Sequence, residues 1–454
     1  MTLKITFLGA AGTVTGSKYA LDNGSHTLLI DCGLFQGFKA LRLRNWESLP
    51  IDPRRISAVL LTHAHLDHTG YLPLLIKRGF KGPVFCSQAT ADLCAILLPD
   101  AGHLQEKDAE FANRHGFSKH KSALPLFTEM DARAALERLR PVSFDEPISV
   151  PGGARVRLRR AGHILGAASI ALDWDQTTVV FSGDLGRFGD ETMVDPVTVP
   201  HADYLVVEST YGNRRHDARN PDEALAEAVE RAVGRGGTVV IPAFAVGRTQ
   251  SLLFHLERIK SKGRLSNIPI FLDSPMATDA SGIFCKHLDD HRLSEGACRR
   301  ACGVAHYVRS VEESKALTTN PMPKVIISAS GMATGGRVLH HLKHYAPDPR
   351  NMILFAGFQA GGTRGAAMVE GAESVKIHGA YIPVRAEVAN LAMLSAHADA
   401  DEILRWLHGL KSPPRRTFIT HGEPSAADAL RQRIEAEKGW RCTVPGHGQQ
   451  VELP

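Results

Sequence analysis

Short apolar or alternating runs at 3 to 8, 17 to 22 and 26 to 31, separated by Gly-rich and Asn23-Gly24 turns, predict antiparallel strands. The β-branched run at 56 to 61 predicts a strand ending on Thr62, so the His-rich segment after it falls in a loop at a strand's C-terminal end. Catalytic groups are commonly displayed in such loops. Three-to-four spacing of Ala, Leu and charged residues predicts helices at 88 to 98, about 100 to 114 and 129 to 138. Strands resume at 155 to 160, 168 to 174 and 178 to 182, and turns nearby present His163 and Asp184. From 204 to 388 apolar strands alternate with helices: 205 to 207 then 222 to 234, 239 to 241 then 248 to 260, 270 to 272 then 276 to 288, 325 to 327 then 336 to 345, and 352 to 355 then 363 to 370. That rhythm predicts a parallel α/β sheet. A strand ending on a histidine then returns twice, at 394 to 397 and 417 to 421. If these histidines complete a site begun at His63, the middle of the chain is an insertion, with a first part at 1–205, an inserted domain at 206–390 and a returning part at 391–454.

A chain of 454 residues exceeds what one core usually serves, which agrees with two domains. With 43% apolar and 22% charged residues and no biased tract, it reads as compact throughout. The formal charge of +5 permits a polyanionic substrate without arguing for one. No stretch approaches the roughly 20 apolar residues of a membrane span, and the first residues read as a strand running into a Gly-rich turn, not as a signal peptide. The seven cysteines are odd in number and contain no Cys-x-x-Cys pair, so they read as reduced thiols of a cytoplasmic protein. Cys298 and Cys302 by themselves are too isolated to make a metal site.

His63-Ala-His65-Leu-Asp67-His68 packs four potential ligands into six residues. The i, i+2 histidines can grip one ion while Asp67 and His68 reach a second. His163 or Asp184 alone would pass for a turn residue, but beside such a cluster both become candidate ligands, and a carboxylate such as Asp184 can bridge two ions. Imidazole and carboxylate donors suit zinc, with manganese as the alternative.

Residues 62 to 70, Thr-His-Ala-His-Leu-Asp-His-Thr-Gly, resemble the signature of the metallo-β-lactamase superfamily. The resemblance implies an α/β protein with an αββα sandwich and the metals at one edge, and it makes Asp31 an orienting residue that does not itself bind metal. Leu205-Val-Val-Glu208-Ser-Thr-Tyr-Gly212, Ser395-Ala-His397-Ala-Asp399 and Thr420-His421-Gly-Glu423 resemble, in order, the acidic and the two histidine motifs of the β-CASP branch, whose members cleave nucleic acids. Segments beginning at Asp100, Pro242, Asp273 and Ser328 also look like β-CASP ribonucleases, so the likeness covers essentially the whole chain. It implies an inserted parallel α/β (β-CASP) domain, His421 as the last metal ligand, His397 as proton donor to the leaving oxygen, and Glu208 orienting His397, with Asp67 also in the catalytic set. Family members that act on RNA tend to carry histidine at the final motif, so His421 favours RNA.

Single-stranded RNA would lie in a cleft between the domains, with phosphate donors opposite the metals. Gly-rich loops at strand-to-helix junctions expose N–H groups suited to that task, which nominates Ser330, Gly331 and Thr363, with Arg248 and Arg337 adding charge, and Ser395 of the first histidine motif joins the candidate substrate-binding residues. The family commonly has an arginine directly after the second glycine of Gly-Thr-x-Gly, whereas here Arg364 stands before Gly365. The reading is a ribonuclease with endo- or 5′-exonuclease action, in a homodimer or an RNA-processing complex. A small-molecule ester, thioester or lactam hydrolase of the same fold and a non-catalytic RNA-processing scaffold are the alternatives.

Overall fold

A computed structural model of the chain describes residues 2–116 and 122–454. It divides into two compact units, one formed by Met1–Arg215 with His397–Pro454 and the other by His216–Ala396. The junctions expected near 205 and 390 thus fall at 215 and 396. The first shift has a clear cause. Tyr204–Val207, which the strand-to-helix rhythm assigned to the inserted domain, pairs with Thr177–Phe181 and Arg416–Ile419 inside the first unit.

Among the described residues, the first unit holds two seven-stranded sheets. Alternation along the strands shows how they are used. Val179, Phe181, Tyr204 and Val206 of the second sheet share one apolar core with Ile5, Phe7, Leu28 and Leu60 of the first. The intervening Val180, Leu205 and Val207 point the other way, onto Ile403, Leu404, Leu407 and Leu430 of helices Ala400–Leu407 and Pro424–Lys438. Side chains on a strand alternate faces, so a strand buried on both sides reads as a continuous apolar run. On the first sheet, helix Gln88–His115 packs against strands Val84–Ser87 and Leu139–Val142. The layers are those of an αββα sandwich.

The second unit is built on a six-stranded, all-parallel sheet in the order His306–Tyr307, Ile270–Asp273, Val325–Ser328, Val239–Pro242, Met352–Phe355, Glu387–Asn390. Val239, Ile241, Val325 and Ile327 face a core shared with helices Pro221–Gly234 and Arg248–Ser261. Val240, Ile326 and Ile353 face the opposite core, under helix Val338–Tyr345.

Three local expectations change. The helices expected at 88 to 98 and 100 to 114 are one, Gln88–His115, which runs through Pro99. Residues 394 to 397 form no strand: a 3-10 turn, Ala392–Leu394, is followed by isolated bridges pairing Gly186 with His397 and Tyr211 with Asp399. Helices Glu295–Gly303, Val311–Thr319, Ala400–Leu407 and Pro424–Lys438 were not anticipated. Among the described residues, no helix is long and apolar enough to cross a membrane.

Candidate metal centre

Strand direction assembles the site. Thr27–Ile30 and Ile56–Leu60 run parallel, so Asp31 and the segment 62 to 68 leave the first sheet at the same edge. In the second sheet, Arg155–Arg160 and Thr177–Phe181 are each antiparallel to Ala168–Trp174, and Thr177–Phe181, Tyr204–Val207 and Arg416–Ile419 are mutually parallel neighbours. The loops carrying His163, Asp184, Glu208 and His421 therefore all follow carboxyl ends at one edge. Close loop packing holds them there: a Cβ on Gly33 would sit 1.5 Å from the Asp67 carbonyl oxygen, and one on Gly186 would sit 2.0 Å from that of Gly162.

Around Asp184 the candidate ligands form two groups, His63, His65 and His163 on one side and Asp67, His68 and His421 on the other. Asp184 Oδ2 lies 3.5 Å from His63 Nε2 and 3.6 Å from His163 Nε2. Its Oδ1 lies 3.4 Å from His68 Nε2 and 3.3 Å from His421 Nδ1. Within the first group, His65 Nδ1 is 3.1 Å from His63 Nε2 and 3.4 Å from His163 Nε2. In the second, His68 Nε2 and His421 Nε2 are 3.1 Å apart, and Asp67 Oδ2 lies 3.9 and 3.6 Å from them. Two atoms bound tetrahedrally to one zinc stand about 3.3 Å apart. The spacing and the nitrogen and oxygen donors fit a divalent ion on each side, with one carboxylate oxygen turned to each group.

Burial keeps the imidazoles available as lone-pair donors. It drives the pKa of His63 and His163 well below the ordinary value and lowers that of His65 to about 4. Burial would raise the Asp184 carboxyl, but His421, His68 and His63 outweigh it and hold the group ionised. His68 goes the other way: burial opposes its charge, yet Asp184 and Asp31 raise its pKa well above the usual value.

A buried cradle orients the ligands. Asp31 accepts from the Thr62 N–H at 2.8 Å and from the Ser17 hydroxyl at 3.0 Å, and its Oδ2 lies 2.7 Å from His68 Nδ1. That contact keeps a proton on Nδ1, so a bound ion would displace the proton from Nε2 and meet the lone pair there, the arrangement that supports a metal-ligating histidine. Sequence reasoning found Asp31 but missed two hydroxyls. Thr62 Oγ1 lies 3.1 Å from His63 Nδ1 and 2.9 Å from Asp31 Oδ1. Thr210 Oγ1 lies 3.2 Å from His421 Nδ1 and donates to the His421 carbonyl at 3.1 Å. The available signal was position, since Thr62 ends a strand beside His63 and Thr210 follows Glu208 by two residues.

His397 stands at the rim, with its ring 4.4 Å from that of His163 and its side chain 15% exposed. Its Nδ1 lies 3.1 Å from Glu208 Oε2, and the buried carboxylate also accepts the Leu185 N–H at 2.5 Å. Burial opposes charge on His397, but Glu208 prevails and raises its pKa. The backbone is pinned by an Ala398 N–H bond to the Leu185 carbonyl at 2.7 Å and by Asp399, which caps helix Ala400–Leu407 in a capping box with Glu402.

The residues nominated for phosphate binding lie in the second unit, where the structure gives most of them internal work. Arg337 donates to Asp273 at 2.7 Å and to the carbonyls of Val308 and Arg309, so its guanidinium braces the fold. Arg364 is likewise bonded to the carbonyls of Lys376, Ala333 and Thr334. The Ser330 hydroxyl accepts the Thr334 N–H at 2.9 Å, and that of Thr363 caps its helix by accepting from the Ala366 N–H. Gly331 abuts Phe244, leaving no room for a side chain. Arg248 and Ser395 come together against Gly357, where an added Cβ would lie 3.3 Å from Arg248 Nη2 and 3.1 Å from Ser395 Cα.

Residues 12–242 match the metallo-β-lactamase superfamily, 249–368 the Beta-Casp domain, and 381–445 the Zn-dependent metallo-hydrolase RNA specificity domain. A ribonuclease of Thermus thermophilus is 37% identical over 99% of this chain and 100% of its own length. Transcription termination factor FttA of Methanocaldococcus jannaschii is 29% identical over 96% of this chain and 70% of its own. A crystal structure of a protein of unknown function from Enterococcus faecalis covers 100% of both chains with a TM-score of 0.52 at 12% identity, a likeness of fold alone.

Proposed function

Because this chain belongs to the β-CASP ribonuclease family of the metallo-β-lactamase superfamily, we propose that it hydrolyses phosphodiester bonds of single-stranded RNA at a pair of divalent ions, zinc in the first instance. His63, His65, His163 and Asp184 would hold one ion, and Asp67, His68, His421 and the other oxygen of Asp184 the second. The observation that carries this reading is Asp184, buried, with each oxygen facing a separate set of nitrogen donors 3.3 to 3.6 Å away. A bound pair supplies an activated water and neutralises charge on the phosphodiester.

The chain's own residues supply the rest. Glu208 fixes the proton on Nδ1 of His397, so any proton handed to the leaving oxygen travels from Nε2. With the Glu208 charge beside it, the imidazole is held in its acidic form over a wider pH range. Of the two arginines nominated to meet substrate phosphate, Arg337 is engaged with Asp273 and with the carbonyls of Val308 and Arg309. The RNA specificity domain match at 381–445 and the full-length match to a ribonuclease support RNA as the polymer.

The test is cleavage of end-labelled single-stranded RNA and DNA of equal sequence, beside a chromogenic lactam, by metal-loaded wild type and His397→Ala. RNA cleavage that falls in the variant is expected, and fragment lengths separate endonuclease from exonuclease action. Lactam turnover without RNA cleavage would move the small-molecule reading to the front.

A further inference from the structure

Three thiols separated in sequence meet in the second unit. Cys285 lies near the end of helix Pro275–Lys286, and Cys298 and Cys302 lie one turn apart on helix Glu295–Gly303, which packs against it. Cys285 Sγ and Cys302 Sγ are 3.5 Å apart, and both residues are half-buried, within reach of a small oxidant. Cys298 is buried, with its sulfur 3.8 Å from His291 Nε2. Hydrogen bonding to Cys285 lowers the pKa of Cys298 and raises that of Cys302, so Cys285 is the thiol common to both neighbours.

A soft metal ion is the competing occupant, and the histidine argues against it. His291 Nε2 donates to the Phe284 carbonyl at 3.0 Å while Nδ1 accepts the Leu293 N–H at 3.1 Å, so the backbone engages both ring nitrogens. Two sulfurs in contact distance need to close by only about 1.5 Å to reach a disulfide bond length.

We propose that Cys285 and Cys302 form a dithiol oxidation site, converted by a peroxide into an intramolecular disulfide. One thiol sheds its proton and attacks the peroxide oxygen as the thiolate, giving a sulfenic acid and a hydroxide that takes up that proton as one water. The second thiol displaces the sulfenic oxygen as another water, so two thiols lose two protons and two electrons in all to the peroxide. A dithiol reductant reverses the bond. The cross-link would tie down a helix that also carries Ser281. The Ser281 hydroxyl accepts from Gln250 Nε2 at 2.9 Å, and Gln250 Oε1 accepts the Gly247 N–H at 2.7 Å, directly before Arg248. The oxidation site is thus joined to the turn that presents Arg248, and it is independent of the RNA reading.

The test uses reduced full-length protein treated with a small excess of hydrogen peroxide, alkylated, and examined by intact mass and tryptic mapping. Arg299 and Arg300 separate Cys298 from Cys302, so the peptides distinguish the two. Two fewer alkyl groups than in the reduced, alkylated control, a Cys285–Cys302 cross-linked peptide and reversal by dithiothreitol are expected. Cys285→Ser should abolish the cross-link and Cys442→Ser should leave it. A gain of about 32 Da per thiol with no cross-link, a bridge to another cysteine, or one equivalent of metal lost specifically in Cys285→Ser would each overturn the proposal.

Discussion

Asp31→Asn changes one atom in the cradle beneath the second ligand group. Asp31 occupies a left-handed backbone position, with φ 57°, which asparagine tolerates. The retained Oδ1 still accepts from the Thr62 N–H, now at 2.8 Å. The new amide nitrogen replaces Oδ2, which lies 2.7 Å from His68 Nδ1. An amide can only donate there, so Nδ1 must become the acceptor and the ring proton moves to Nε2, the nitrogen facing His421 and Asp184. His68 would then have to lose its amide hydrogen bond or present a proton where a lone pair is needed. Loss of such a supporting contact costs 10- to 100-fold in metal affinity, about 1.4–2.7 kcal/mol. Chelator competition with metal quantified per chain reads the effect directly, and circular dichroism checks that the fold survives. The ion proposed among Asp67, His68 and His421 should weaken by that factor, while the one proposed among His63, His65 and His163 should change little. Affinity for both ions within twofold of wild type would refute the reasoning.

Glu208→Gln should lower kcat for RNA by about 100-fold or more with little change in KM. Because Glu208 raises the His397 pKa, the variant's loss of activity at high pH should begin at lower pH than in wild type, and an unmoved alkaline limb would contradict the assignment. Thr210→Val keeps shape but removes the hydroxyl beside His421, and metal affinity should drop about 10-fold in the same chelator titration. Asp273→Ala should destabilise the second unit by about 3–5 kcal/mol in urea unfolding, since it strips a buried carboxylate from Arg337 and His341. Stripping the metals should lower Tm, and restoring an ion to 100 times its Kd should return about 2.7 kcal/mol per site.

The parts of this protein that were legible in sequence are those written locally. Four of the candidate ligands crowd into one segment at 63 to 68, and His163, Asp184 and His421 each follow a strand, so their convergence needed only that the strands share an edge. The β-CASP resemblance found the contact between Glu208 and His397 across 189 residues, which no spacing rule reaches. What sequence could not supply was the partner of each polar group. Arg337 and Arg364 have the residue type of phosphate binders, yet nearby carbonyls and Asp273 engage them. Cys298 and Cys302 looked isolated because the third thiol approaches from another helix. Tyr204–Val207 carried the same apolar signature as the inserted strands, and only pairing with Arg416–Ile419 assigns it to the first unit. The helices read separately at 88 to 98 and about 100 to 114 are one, with Pro99 buried inside it.

The central claim is that Asp184 stands between two ions, and anomalous diffraction at the zinc absorption edge from crystals grown with zinc tests it most directly. The account predicts two peaks on opposite sides of the Asp184 carboxylate, one among His63, His65 and His163 and the other among Asp67, His68 and His421. A single peak, or peaks away from Asp184 in metal-replete, RNA-cleaving protein, would contradict it.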